Sequence, residues 1–244
     1  MQHYKKVLPN MEALCLEAAR DLLRLIQQSI DERGSFHIFL AGGSTPENFY
    51  KLLATSTYAN VIPWNKINIY FGDERNVPPD HPDSNYKMVN TALLNKLSID
   101  PTHIHRIHGE LTADDAAIAY HNTIKVLAPA DENDTPQPDL VLLGLGPDGH
   151  IASLFPNTDI LNKRDTYCAA VWVEKLKAWR ISITYPVINN ARNLWFLVAG
   201  ENKQDIVDRI FNHASILEKL PIERIAAKGQ VTWYLDQAAA KWLK

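Results

Sequence analysis

The sequence predicts an α/β fold: a doubly wound, mostly parallel sheet with helices on both faces. Three observations lead there. Short apolar runs of strand length alternate with segments whose apolar residues recur at helical spacing. Polar, glycine-rich stretches follow those runs directly, at Gly42–Thr45, Gly72–Arg75, Gly144–His150 and Gly200–Lys203. The chain has 244 residues, 46% hydrophobic and 22% charged, enough apolar material for a large core. No stretch reads as a convincing linker, so a single domain over 1–244 is expected, with the polar connector Asp131–Pro138 as a surface loop.

The elements follow in order. Leu14, Ala18, Leu22, Leu25 and Ile26 mark an amphipathic helix over Met11–Ile30, and Gly34 breaks the chain after it. Phe36–Ala41 is a buried strand. Thr45 then serves as N-cap, with Pro46 in the first turn of a helix through Phe49, Leu52 and Leu53. Ile67–Phe71 is a strand, followed by Gly72–Arg75, a proline-rich loop and a helix from about Ser84. Asp139–Gly144 is the clearest strand. Cys168 lies in a strand-like run, and Arg180–Tyr185 alternates as a strand before Pro186 opens a short helix. Leu194–Ala199 leads through Gly200–Lys203 into a helix. Val231–Leu235 is the last strand, before an alanine-rich terminal helix.

Composition excludes several classes. Lys and Arg number 25 against 28 Asp and Glu, a net charge of -3, which argues against nucleic acid or an anionic membrane as partner. An anionic ligand would need local cations. Two distant cysteines, Cys15 and Cys168, make no disulfide framework. No run of ~18 apolar residues suggests a membrane span. The start, Met1–Lys6, has no apolar stretch typical of a signal peptide, so a cytoplasmic location is expected.

In open α/β sheets ligands bind beyond the carboxyl ends of the strands. The four polar clusters therefore converge on one edge. Gly42, Gly43, Ser44 and Thr45 could cradle an anion against a helix N-terminus, or form a plain capped turn. They match neither a P-loop nor a dinucleotide fingerprint. Arg75 could donate to an anion or oxyanion, with a neighbouring carboxylate orienting it; a solvated ion-paired loop is the bland alternative. Gly144–His150 holds three glycines and a proline before His150, and presents Asp148 beside it. An imidazole there suits proton transfer at neutral pH, with Asp148 as its support. Ser153 has no nucleophile-elbow context and reads as a helix residue or hydrogen-bond donor. Lys203 directly follows its strand. Arg180 starts its own, and reaches the same edge only if that strand is antiparallel or the preceding loop folds over. His103, His105 and His108 lack a metal-site pattern, so no metal is expected.

LAGGSTP (Leu40–Pro46), GDERNVP (Gly72–Pro78) with Ser84-Asn85, GLGPDGHIASLFP (Gly144–Pro156), RISIT (Arg180–Thr184) and GENK (Gly200–Lys203) occur in that order. Together they resemble the 6-phosphogluconolactonases over about residues 10–240. The resemblance implies a Rossmann-like fold shared with glucosamine-6-phosphate deaminases. It implies hydrolysis of 6-phospho-D-glucono-1,5-lactone without a cofactor, by a chain that is a monomer or weak homodimer. Carried over residue by residue, it makes His150 the general base, Asp148 its support and Arg75 an active-site arginine. Gly43, Ser44 and Thr45 become the phosphate loop, and Arg180 and Lys203 the substrate-contacting cations. Leu176–Trp179 stands where the family commonly has prolines, and Tyr185 where it has an aliphatic residue. The competing implications are a glucosamine-6-phosphate deaminase/isomerase and a non-enzymatic sugar-phosphate-sensing domain. The former's acidic NEP-like segment is replaced here by Ala152–Pro156, and no basic DNA-binding module precedes Phe36.

Overall fold

Seven parallel strands carry the molecule, and the chain's first strand closes one edge of the sheet. The computed structural model describes residues 3–213 and 219–243. In chain order the elements are β1 (His3–Leu8), α1 (Met11–Arg33), β2 (Phe36–Leu40), α2 (Ser44–Leu53), α3 (Ser56–Ala59), β3 (Ile67–Phe71), β4 (Asp73–Arg75), α4 (Asn85–Ala92), β5 (Ile104–His105) and α5 (Ala113–Leu127). They continue with β6 (Leu140–Leu143), β7 (Cys168–Val173), β8 (Ala178–Ile183), α6 (Tyr185–Asn190), β9 (Asn193–Val198), α7 (Gln204–Asn212) and β10 (Gln230–Asp236). The large sheet has the order β1-β10-β9-β6-β2-β3-β5, and each adjacent pair among the described residues is parallel.

The strand order diverges at β2 and β6. From β2 the chain moves to β3 and β5 on one side, and β6 leads to β9 and β10 on the other. Such a switch point opens a crevice at the carboxyl ends. Both strands are apolar because both are covered on two faces. All four residues of β6 are buried, as are Phe36, Ile38, Phe39 and Leu40 of β2. Helix α1 begins where the Asn10 side chain accepts from Ala13 N at 2.9 Å. It ends at Gly34, whose left-handed φ of 82° lets its N–H reach Ile30 O.

A second, three-stranded antiparallel sheet, β4-β8-β7, was not expected. Gly72 joins it to the first. Its N–H donates to Leu40 O at 2.8 Å, and its carbonyl accepts from Ile183 N at 2.9 Å. Four expectations change. Asp73–Arg75 is a short strand rather than loop, and the alternating run after Arg180 is β8 in the small sheet. Helix α2 starts one residue before Thr45, with Gly43 at φ 100° as its cap. The alanine-rich terminus is not a helix: residues 237–242 form turns anchored on Asp236, which accepts from Ala239 N at 2.7 Å. The strand β1 and the helix α5 escaped the sequence reading. Trp172 and Trp179 face each other across the β7–β8 hairpin, ring centroids 5.6 Å apart and T-shaped, both exposed. No described helix is long and apolar enough to cross a membrane.

Candidate active site

A cleft of about 250 Å³ opens at the β2/β6 switch point, and Gly43, Ser44, Thr45, Arg75, His150 and Lys203 all line it. The loops from residue 42, residue 72, residue 144 and residue 200 do meet on one edge. Arg180 and Asp148 are not among the residues that line the cleft; each adjoins one that does, Arg180 as the cross-strand partner of Arg75 and Asp148 through its bond to His150.

The first wall is the Gly42–Thr45 turn. A Cβ on Gly42 would lie 2.3 Å from Asn85 Oδ1, so only glycine lets the two segments touch. Gly43 turns the chain so that α2 begins at Ser44, leaving the backbone N–H groups of the first turn without intrahelical acceptors. Ser44 is exposed and Thr45 buried.

The second wall is β4. Asp73 is buried and receives Asn85 Nδ2 at 3.1 Å and the Ser153 hydroxyl at 2.7 Å. Ser153 is thus a buried hydrogen-bond donor. Glu74 does not orient the Arg75 guanidinium. Its carboxylate accepts from the backbone N–H of Arg75 (2.8 Å), Asn85 (2.7 Å) and Tyr86 (2.7 Å), and from Ser84 Oγ (3.0 Å). Burial pushes its pKa up, and those bonds pull the other way. It fixes the start of α4. The Arg75 guanidinium instead donates to the Asp83 carbonyl. β8 runs antiparallel to β4, and Arg180 is the register partner of Arg75. That register sets Arg180 in mid-strand beside Arg75, which does line the cleft. Burial, reinforced by the Arg75 charge, lowers its pKa. Two guanidinium groups side by side repel, and an anion between them would relieve that repulsion.

The third wall carries the imidazole. His150 Nδ1 lies 2.5 Å from Asp148 Oδ1, with the His150 side chain one quarter exposed. A carboxylate only accepts, so Nδ1 bears the hydrogen and neutral His150 keeps a lone pair on Nε2. Burial holds the His150 pKa below its usual 6.5, although Asp148 opposes this. Burial also works against the charge of Asp148, but hydrogen bonds from Lys175 and His150 outweigh it and set its pKa at about 2. The ring stacks on Phe155 with centroids 4.1 Å apart. A Cβ on Gly146 would sit 2.0 Å from His150 Nδ1, so this glycine makes room for the ring. Lys203 Nζ donates to Leu145 O at 2.7 Å, and burial lowers its pKa.

Sequence reasoning missed Asp73, Asn85 and Lys175 as site residues. The Ser84-Asn85 pair was a signal for Asn85; Lys175 carried none. The other histidines stay apart from the cleft. His105 Nε2 lies 3.3 Å from Asn68 Oδ1, His108 pairs with Glu110, and His103 Nδ1 is buried without a partner. Among the described residues no group of three His, Cys, Asp or Glu side chains could hold a metal ion.

Similarity to known proteins agrees with this arrangement. A family described as glucosamine-6-phosphate isomerases/6-phosphogluconolactonase matches residues 9–233. A 6-phosphogluconolactonase from Nostoc sp. is 37% identical over 243 residues, 98% of either chain. The 6-phosphogluconolactonase of Trypanosoma brucei superposes with a TM-score of 0.88 at 27% identity, covering 100% of this chain and 99% of that one. A monomeric glucosamine-6-phosphate deaminase shares the fold, with a TM-score of 0.79 at 20% identity over 99% and 100% of the two chains. By sequence and by fold, then, the chain belongs to the glucosamine-6-phosphate isomerase/6-phosphogluconolactonase family.

Proposed function

We propose that this chain hydrolyses 6-phospho-D-glucono-1,5-lactone to 6-phospho-D-gluconate, the lactonase step of the oxidative pentose phosphate pathway. The observation that carries the reading is the Asp148–His150 pair facing a cleft that also holds Arg75, Ser44 and Lys203. His150, neutral at pH 7, takes a proton from water through Nε2, and the resulting hydroxide attacks the lactone carbonyl. Asp148 holds the tautomer and stabilises the imidazolium that forms. Arg75 and backbone N–H groups of the glycine-rich loops receive the oxyanion. The imidazolium returns its proton to the departing ring oxygen, so acid and base are one group. Gly43, Ser44 and Thr45 at the α2 N-terminus, with Arg180 and Lys203, hold the phosphate. This answers the charge balance: an acidic chain places its cations where the anion binds. The reaction as written calls on no metal, nucleotide or covalent intermediate.

The relatives at 37% identity support the lactonase over the deaminase reading, whose structural neighbour shares only the fold. We place this activity in the cytoplasm, in one domain spanning 1–244, working as a monomer or weak homodimer. The test is acid release from fresh lactone against its spontaneous rate, with ammonia release from glucosamine 6-phosphate as the complementary assay. Acid release no faster than the spontaneous rate overturns the proposal; ammonia release transfers the site to the deaminase.

A further inference from the structure

The β7–β8 hairpin does more than present Arg180. Its tip is a single 3₁₀ turn at Glu174–Leu176, closed by Lys177 in the left-handed region at φ 48°. This turn lays Lys175 against the far side of Asp148, where its ammonium donates to Oδ2. The other oxygen, Oδ1, holds His150 Nδ1 at 2.5 Å. One carboxylate is therefore shared between an imidazole and an ammonium. The ammonium also lies 4.9 Å from the centroid of the Phe155 ring, the ring on which His150 stacks. Lys175 and His150 thus share two partners. Asp148 stands in a turn between Pro147, which is exposed, and Gly149 at φ 75°. Within that turn its side chain meets only the backbone N–H and ring of His150; the anchor from outside is Lys175.

We propose that Lys175 is a positioning residue for the reaction: it pins Asp148 in the rotamer that orients the His150 imidazole. The inference rests on His150 being the base described above. The charge of Lys175 adds a second effect. Asp148 and Asp73 favour the imidazolium, whereas burial and Lys175 oppose it. Arg75 and Lys203 line the same cleft. Lys175 therefore helps keep the imidazole unprotonated at neutral pH, as a base must be. A hairpin that served the fold alone would make neither contribution.

The test is a set of variants, Lys175→Met, Lys175→Gln and Lys175→Arg, each checked for folding by thermal melt. Lys175 is half exposed, so the two neutral variants should fold. NMR titration of His150 in the free protein, assigned with His150→Gln, should show its pKa rising by roughly 0.5–1 unit in both neutral variants. The arginine variant should restore it. The acid limb of kcat/KM for lactone hydrolysis should move to higher pH by the same amount. At the plateau kcat should fall about ten- to a hundredfold with KM little changed. A His150 titration that stays in place in the neutral variants overturns the proposal, even if kcat falls; one that moves down keeps the grip on Asp148 and overturns the charge effect. Lactone turnover by the wild type at no more than the spontaneous rate defeats the proposed function instead, and the titration still decides whether Lys175 acts on His150.

Discussion

Two histidines stand at opposite ends of the same sheet, and burial lowers the pKa of both. His37 lies at the amino end, near the start of β2. Its Nδ1 is 3.3 Å from the Tyr70 hydroxyl and its Nε2 is 3.2 Å from Ser35 Oγ. Tyr70 stacks on the ring, and burial takes the His37 pKa to about 4, with the Asp139 charge opposing. His150 lies at the carboxyl end, with one nitrogen on a carboxylate and the ring lining a cleft. Both imidazoles are neutral at pH 7. Only the second has a carboxylate bonded to its ring to stabilise the proton once taken, and room for a substrate to deliver it. A lowered pKa makes a histidine neutral; its partner and its access decide whether it can do chemistry.

The sharpest break of this contrast comes from truncation. His150→Ala should lower kcat about 10²–10⁴-fold with a modest change in KM and leave the melting temperature nearly unchanged. His37→Ala should do the reverse, lowering the melting temperature and leaving kcat near wild type. Paired lactonase assays and thermal melts check both, and a wild-type kcat in His150→Ala removes the distinction. A smaller effect is expected at the paired guanidinium groups. Arg75→Ala and Arg180→Ala should each lower kcat/KM about 10–100-fold, the worth of a charge-assisted hydrogen bond. In wild type, 6-phosphogluconate should raise the melting temperature, and less so in either variant. The smallest effect is on stability against pH. The unfolded chain protonates His37 near 6.5 and the folded chain near 4. Stability is therefore flat above about pH 6.5 and falls as pH drops towards 4, by about 3 kcal/mol at most. Denaturant melts across this window should show a shallower slope in His37→Gln.

The sequence made the carboxyl end of the large sheet legible for a physical reason. Apolar runs buried on both faces are unmistakable in β2, β6 and β9, and the glycines that follow them mark close approach. Gly42 against Asn85 and Gly146 against His150 are two such cases. The small sheet was not legible. β4 is three residues of charge, and its burial depends on Ser84, Asn85 and the backbone of α4, which no local pattern announces. The place of Arg180 stayed conditional because no local pattern gives the direction of its strand; the antiparallel pairing with β4 meets the condition. Lys175 was invisible because its role comes from a tertiary contact with Asp148, 27 residues away in sequence. β1 was missed because Tyr4, Lys5 and Lys6 are too polar for a central strand, yet they suit an edge paired only with β10.

The edge-to-face indoles of Trp172 and Trp179 sit on the hairpin that delivers both Lys175 and Arg180. Their exposure to solvent makes their fluorescence sensitive to any tilt of that hairpin. A tilt of the hairpin on binding a phosphosugar acid would therefore read out in real time as a shift in emission, without dye or label, and the shift would vanish with both indoles replaced by phenylalanine.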